Sequence, residues 1–197
     1  MIAKYLTLLA ALLLAVPVAA SAATIYATGV TQYPGLGVVG ERAEGARAFG
    51  AADGRFMSLG LGGAAVFGFS QSFTGAATIS EVTFGARPSH FETARVFVSE
   101  TFDAAAGRFD ASAFREVGRI TNADPLSIVD FGGTYRYLAL LDTSPRVAGR
   151  DGFDIDAISV MTAPVPALVS TVPLPASAPL MLLGVAAIAW SGRRRKS

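Results

Sequence analysis

The chain of 197 residues contains no cysteine, one histidine, His90, and one tryptophan, Trp190. Without cysteine there is neither a disulfide framework nor thiol chemistry, so the fold must rest on its apolar core. The usual His/Cys zinc sets are excluded with it. A Ser-His-Asp triad would have to use His90, which follows the turn Arg87-Pro88-Ser89, and no Gly-x-Ser-x-Gly elbow is present to carry its nucleophile. His90 therefore reads as a surface-loop residue. Lysine is almost missing as well: Lys4 and Lys196 stand at the two ends. Five of the 16 basic residues, Lys4 and the cluster Arg193, Arg194, Arg195 and Lys196, belong to those ends, which leaves 11 arginines against 15 acids in between. A mildly acidic central part has no footprint for nucleic acid. The isolated Trp190 argues against a sugar-cleaving cleft, since such clefts stack rings on exposed aromatics. Tyr26, Tyr33, Tyr135 and Tyr137 remain as a modest sugar platform, although Tyr135 and Tyr137 read first as strand residues.

What is present is concentrated at the ends. Lys4 supplies a positive n-region, Leu6 to Val18 an apolar h-region, and Ala20-Ser21-Ala22 a small-residue site with cleavage after Ala22. Residues 1–22 are thus expected to be a secretory signal peptide handled by the translocon. At the other end come Val172-Pro173-Leu174-Pro175-Ala176, an apolar run to Trp190, and the cluster Arg193 to Lys196. A helix needs about 20 residues to cross a hydrocarbon layer, which the stretch from Val172 to Trp190 nearly supplies. The basic cluster is the cytoplasmic stop.

A short proline-containing motif, one hydrophobic helix and a terminal arginine cluster resemble the PEP-CTERM class of sorting signals. Val172-Pro173-Leu174-Pro175-Ala176 matches the VPLPA variant letter for letter. The resemblance implies recognition by an exosortase, a membrane transpeptidase-like protease, removal of the tail near the motif, and delivery to the cell surface or extracellular matrix of a Gram-negative bacterium. Without the resemblance, the same residues describe a C-terminal anchor that is never cut. Before the motif, Ala163-Pro164-Val165-Pro166 begins an extended spacer, 163–171, that gives a protease access.

Between the ends, 23–162, short apolar or alternating runs recur about every ten residues, bounded by Asp53-Gly54, Gly62-Gly63, Asp124-Pro125, Gly132-Gly133 and Asp151-Gly152. That is the pattern of an all-β, two-sheet antiparallel sandwich of jelly-roll type, flanked by an N-terminal signal helix and a C-terminal transmembrane helix. Tyr135 to Asp142 is apolar on both faces through its middle and reads as a central strand. In Phe153 to Val160 the apolar phase slips from Ile155 to Ile158, which predicts a bulge near Ala157. Ser99 to Ala113 reads as a long connection with a helical turn. Gly60-Leu61-Gly62-Gly63-Ala64-Ala65 echoes a dinucleotide fingerprint but lacks a βαβ unit, and reads as a hairpin connection.

The sharpest chemical feature is Asp151-Gly152-Phe153-Asp154-Ile155-Asp156. Asp154 and Asp156 share a strand face. With Asp151 and the turn residue Asp53 they form a candidate Ca²⁺ set, because that ion takes six to eight oxygens. The phrase also resembles a run near the last strand of secreted jelly-roll domains in exosortase-sorted proteins. The plain alternative is a solvated strand face with Asp151 capping a turn. The functional expectation is a non-catalytic structural or adhesive surface protein. The alternative is a Ca²⁺-assisted carbohydrate-binding module whose partner is extracellular polysaccharide, with an enzyme and an uncut anchored protein behind these.

Overall fold

The computed structural model describes residues 22–82 and 91–163, all within one compact unit. The signal segment with Ala20, the spacer beyond Ala163, the motif Val172 to Ala176, the basic cluster and His90 lie outside the described residues, as do both expected terminal helices. Among the described residues no helix is long and apolar enough to cross a membrane.

Among the described residues eight antiparallel strands follow in order: β1 (Thr24–Tyr26), β2 (Gly29–Tyr33), β3 (Met57–Ser58), β4 (Ala64–Glu81), β5 (Thr93–Ser99), β6 (Arg115–Thr121), β7 (Leu126–Asp142) and β8 (Asp154–Thr162). Hydrogen bonding runs β1-β8-β4-β7-β5-β6, with β2 also on β4 and β3 also on β8. Two strands are long enough to serve both layers of the sandwich. The first half of β4 pairs with β2 and with the second half of β7, which continues to β5 and β6. The second half of β4 pairs with the first half of β7 and with β8, which continues to β1.

The break between the halves has a chemical cause. Register along β4 and β7 shifts between Gly68 and Phe73 and again between Thr74 and Gly75, where Thr74 faces Thr134 and Gly75 faces Phe131. Gly132 and Gly133 are therefore extra residues in β7, and Gly133 takes φ 98°, open to glycine at little cost. The pair reads from sequence as a turn between two strands; in the fold it is a bulge inside one.

The core follows the strand alternation. Ala65, Phe67, Phe69, Phe73, Ala77 and Ile79 of β4 meet Val96 and Val98 of β5, Leu138 and Leu140 of β7, and Ile155, Ile158 and Val160 of β8. Each large side chain buried there contributes about 1.5–3 kcal/mol. The opposite face of the same strands is apolar as well. Val66, Phe97 and Ala139 are buried there under Tyr33, Phe102, Phe109, Phe114, Tyr137 and Leu141. The two-faced reading of Tyr135 to Asp142 is thereby explained: Leu138 and Leu140 enter the main core, Tyr137 and Leu141 the second cluster. The connection 100–114 covers that second cluster with two short 3-10 turns, Ala104–Ala106 and Ala111–Ala113.

In β8, Ile155 pairs with Glu81 and Ala157 with Ser80, which leaves Asp156 without a partner on β4. The phase slip in the sequence is thus a bulge at Asp156.

Candidate functional site

Two places in the fold gather chemistry. The first is where strand ends meet: β4 ends at Glu81, β5 begins after Glu92, β7 ends at Asp142 and β8 begins at Asp154. All four acids are buried. Asp142 is fully occupied, accepting from the backbone N–H groups of Gly62 at 2.8 Å, Ser144 at 3.3 Å and Phe153 at 3.0 Å, and from Ser144 Oγ at 2.6 Å. It ties the 60–63 connection to β8. Gly152, at φ 80°, lets this happen, because an added Cβ would stand 2.8 Å from Asp142 Oδ1.

Asp154 differs. It is 4% exposed, and its Oδ1 has no hydrogen-bond partner. Burial, reinforced by the charge of Asp151, pushes its carboxyl up to about 8. Ser58, its cross-strand neighbour in β3, directs its hydroxyl to the Asp151 carbonyl. Glu92 is likewise pushed up to about 8, first by burial and then by the charge of Asp154. Both carboxyls are thereby held well above the ordinary carboxylate range.

The four aspartates of the calcium expectation have separate tasks. Both oxygens of Asp156 are taken by backbone N–H groups, Asp53 and Gly54 at 3.0 Å each. Asp53 Oδ1 accepts from Arg55 N at 2.9 Å, closing its own turn. Asp151 Oδ2 is paired with Arg42 Nη1 at 2.6 Å, and its carbonyl accepts from Ser58 Oγ at 2.6 Å. Arg42 also stacks over Phe56, its Cζ 5.2 Å from the ring centroid. Among the described residues no three acids or histidines are grouped so that they could hold a metal ion. The four-residue set is therefore not assembled around one point. Backbone N–H groups and one guanidinium hold oxygens of Asp156, Asp53 and Asp151, whereas Asp154 Oδ1 is left without a partner.

The second place is a surface cleft of about 410 Å³ above the second aromatic cluster, lined by Phe102, Asp103, Ala106, Arg108, Asp110 and Phe114 among others. The rings beneath it are interlocked. Phe102 lies 5.6 Å from Tyr137 and 6.1 Å from Phe114, and Phe109 lies 5.4 Å from Phe114 and 5.8 Å from Phe97. The walls are held by the two 3-10 turns. Asp103 caps the first, accepting from Ala105 N at 2.9 Å, and Asp110 caps the second, accepting from Ser112 N at 3.0 Å and Ser112 Oγ at 2.7 Å. Arg108 stands between them. It also lines a second depression of about 450 Å³ with Gln32, Tyr33, Pro34, Phe109 and Leu141.

This cleft was not nominated from the sequence. Tyr33 and Tyr137 of the sugar platform do converge here, as cluster members. Tyr135 instead packs against the main core and hydrogen-bonds Gly132 and Arg115, while Tyr26 sits on the edge strand β1. The signal that could have found the cleft is the spacing Phe102, Arg108, Phe109, Phe114 in a connection too apolar for an ordinary loop.

A family model described as the PEP-CTERM protein-sorting motif matches residues 171–196. The tail is therefore a PEP-CTERM signal, which marks a secreted protein sorted to the cell surface in Gram-negative bacteria. No curated protein sequence matches the chain. Among solved structures the chain is similar to the CBM32 of AlyQ in complex with 4,5-unsaturated mannuronic acid, at 12% identity over 72% of this chain and 99% of that one, with a TM-score of 0.44. It is similar also to a pectin binding carbohydrate binding module, at 15% identity over 79% of this chain and 96% of that one, with a TM-score of 0.44. Against truncated AlyQ with CBM32 and alginate lyase domains, 13% identical with a TM-score of 0.43, 75% of this chain covers 35% of that one.

Proposed function

We propose that the domain is a non-catalytic, adhesive module of a surface-sorted protein, and that it holds extracellular polysaccharide in the cleft between Phe102, Arg108 and Phe114. The observation that carries this reading is the cleft itself. Pairs of half-buried rings offer an apolar floor, and fixed polar groups stand at its rim, the arrangement that suits a sugar with one C–H face and a ring of hydroxyls. An exosortase acting near Val172 to Ala176 would release or transfer the domain after export. Its expected destination, the matrix, is where polysaccharide is found.

The reading is tested with mature protein recovered from the producing cells, applied to a glycan array and followed by titration calorimetry. Binding that falls about tenfold in Arg108→Ala, the loss of one charge-assisted hydrogen bond, supports it. No binding to any glycan, or binding indifferent to Arg108 and Phe102, refutes it. Mass spectrometry of the same protein reports whether residues after the pentapeptide have been removed, which separates exosortase processing from an uncut anchor.

A further inference from the structure

We infer that the cleft selects a neutral polysaccharide over an acidic one, and that it takes more than one sugar unit of the chain. The inference rests on the glycan reading above and deepens it. Its starting point is the charge of the lining. The first depression has three charged side chains, Asp103, Arg108 and Asp110, and the second has Arg108 alone. One cation therefore stands beside two carboxylates.

Asp110 stays ionised, since hydrogen bonds from Ser112 hold its carboxyl below the ordinary aspartate range. In both caps the bonds fall on Oδ1, so the second oxygen of Asp103 and of Asp110 is not used by a cap. Among the described residues Arg108 makes no hydrogen bond or ion pair. Arginine only donates and an ionised carboxylate only accepts. A vicinal diol donates and accepts at once, so adjacent sugar hydroxyls satisfy acceptor, donor and acceptor across this rim. A uronate carboxylate only accepts. It would be served by Arg108 alone and would face two like charges, a juxtaposition that disfavours the wrong partner.

The length of the ligand follows from the layout. The two depressions share Arg108, and its neighbour Gly107 lines the second. A chain resting on Phe102 and Phe114 can therefore continue toward Tyr33 and Leu141.

The test uses mature protein from the producing cells and titration calorimetry in 50 mM NaCl. The neutral probes are cello-, malto-, manno- and galacto-oligosaccharides of two and six units, and the acidic probes are hexagalacturonate and hexaguluronate. The expected result is binding of at least one neutral series, at least about tenfold tighter for six units than for two, with acidic hexamers unbound. Asp103→Asn with Asp110→Asn keeps the caps, because asparagine caps as well as aspartate, and is expected to narrow the discrimination against acidic probes. Acidic hexamers bound as tightly as neutral ones, or equal affinity for two and six units, overturns this inference and leaves the glycan reading standing. Binding of neither class overturns both.

Discussion

Replacement of Asp154 by asparagine should stabilise the protein in alkali and do little in acid. In the fold this carboxyl is raised from its ordinary 3.8 to about 8, by burial first and by the charge of Asp151 second. Between those two values the unfolded chain has released the proton and the folded chain has kept it, so the folded state binds more protons and stability falls as pH rises. The contribution is intact below about pH 4 and lost progressively up to about pH 8. At about 1.4 kcal/mol per pH unit, the ceiling is about 6 kcal/mol. Water entry and local repacking relieve part of a buried charge, and a loss of about 2–4 kcal/mol is expected, or about 5–15 °C in melting temperature. An amide has nearly the same shape and never ionises. Asp154→Asn should therefore match the parent within about 1 kcal/mol at pH 4 and exceed it by about 2–4 kcal/mol at pH 8.5. Thermal melts monitored by circular dichroism from pH 4 to 9, in the presence of a chelator, measure the difference directly. Carboxylates held low, such as Glu116 by its hydrogen bond to Arg95, act with the opposite sign but are common to both proteins and cancel. Parallel pH profiles for parent and variant, or a variant less stable at pH 8.5, would refute the reasoning.

Two other substitutions test the same end of the fold. Asp142→Ala strips the acceptor from three backbone N–H groups and one hydroxyl; a loss of about 3–5 kcal/mol in urea unfolding is expected, since buried donors are left unpaired. Gly63→Ala places a methyl 1.9 Å from the Leu59 carbonyl and 2.3 Å from Gly35 N. Neither obstacle is a side chain that can swing away, so poor soluble yield or a melting temperature at least about 10 °C lower is expected.

The strands were legible because a pleated, half-buried sheet imposes its period on the sequence. The predicted slip in Phe153 to Val160 is the bulge at Asp156. What the period does not encode is whether glycines end a strand or bend it. Gly68 and Gly75 both lie inside β4, which runs without interruption from Ala64 to Glu81. Gly132 and Gly133 mislead in the same way in β7. A glycine tolerates φ near +90° in a turn and in a bulge alike, and only the partner strand, distant in sequence, decides between them.

The site is a harder case, for a related reason. Asp154 and Asp156 lie two residues apart on one strand, so alternation assigns them equal roles. Their environments come from elsewhere. The turn at Asp53 and Gly54 turns two N–H donors onto Asp156, and nothing comparable reaches Asp154 Oδ1. One is therefore a satisfied acceptor that fixes a loop, and the other a desolvated acid that stays protonated well above its ordinary range. Spacing along a strand locates carboxylates; donors more than a hundred residues away in sequence decide which of them is held as a charge.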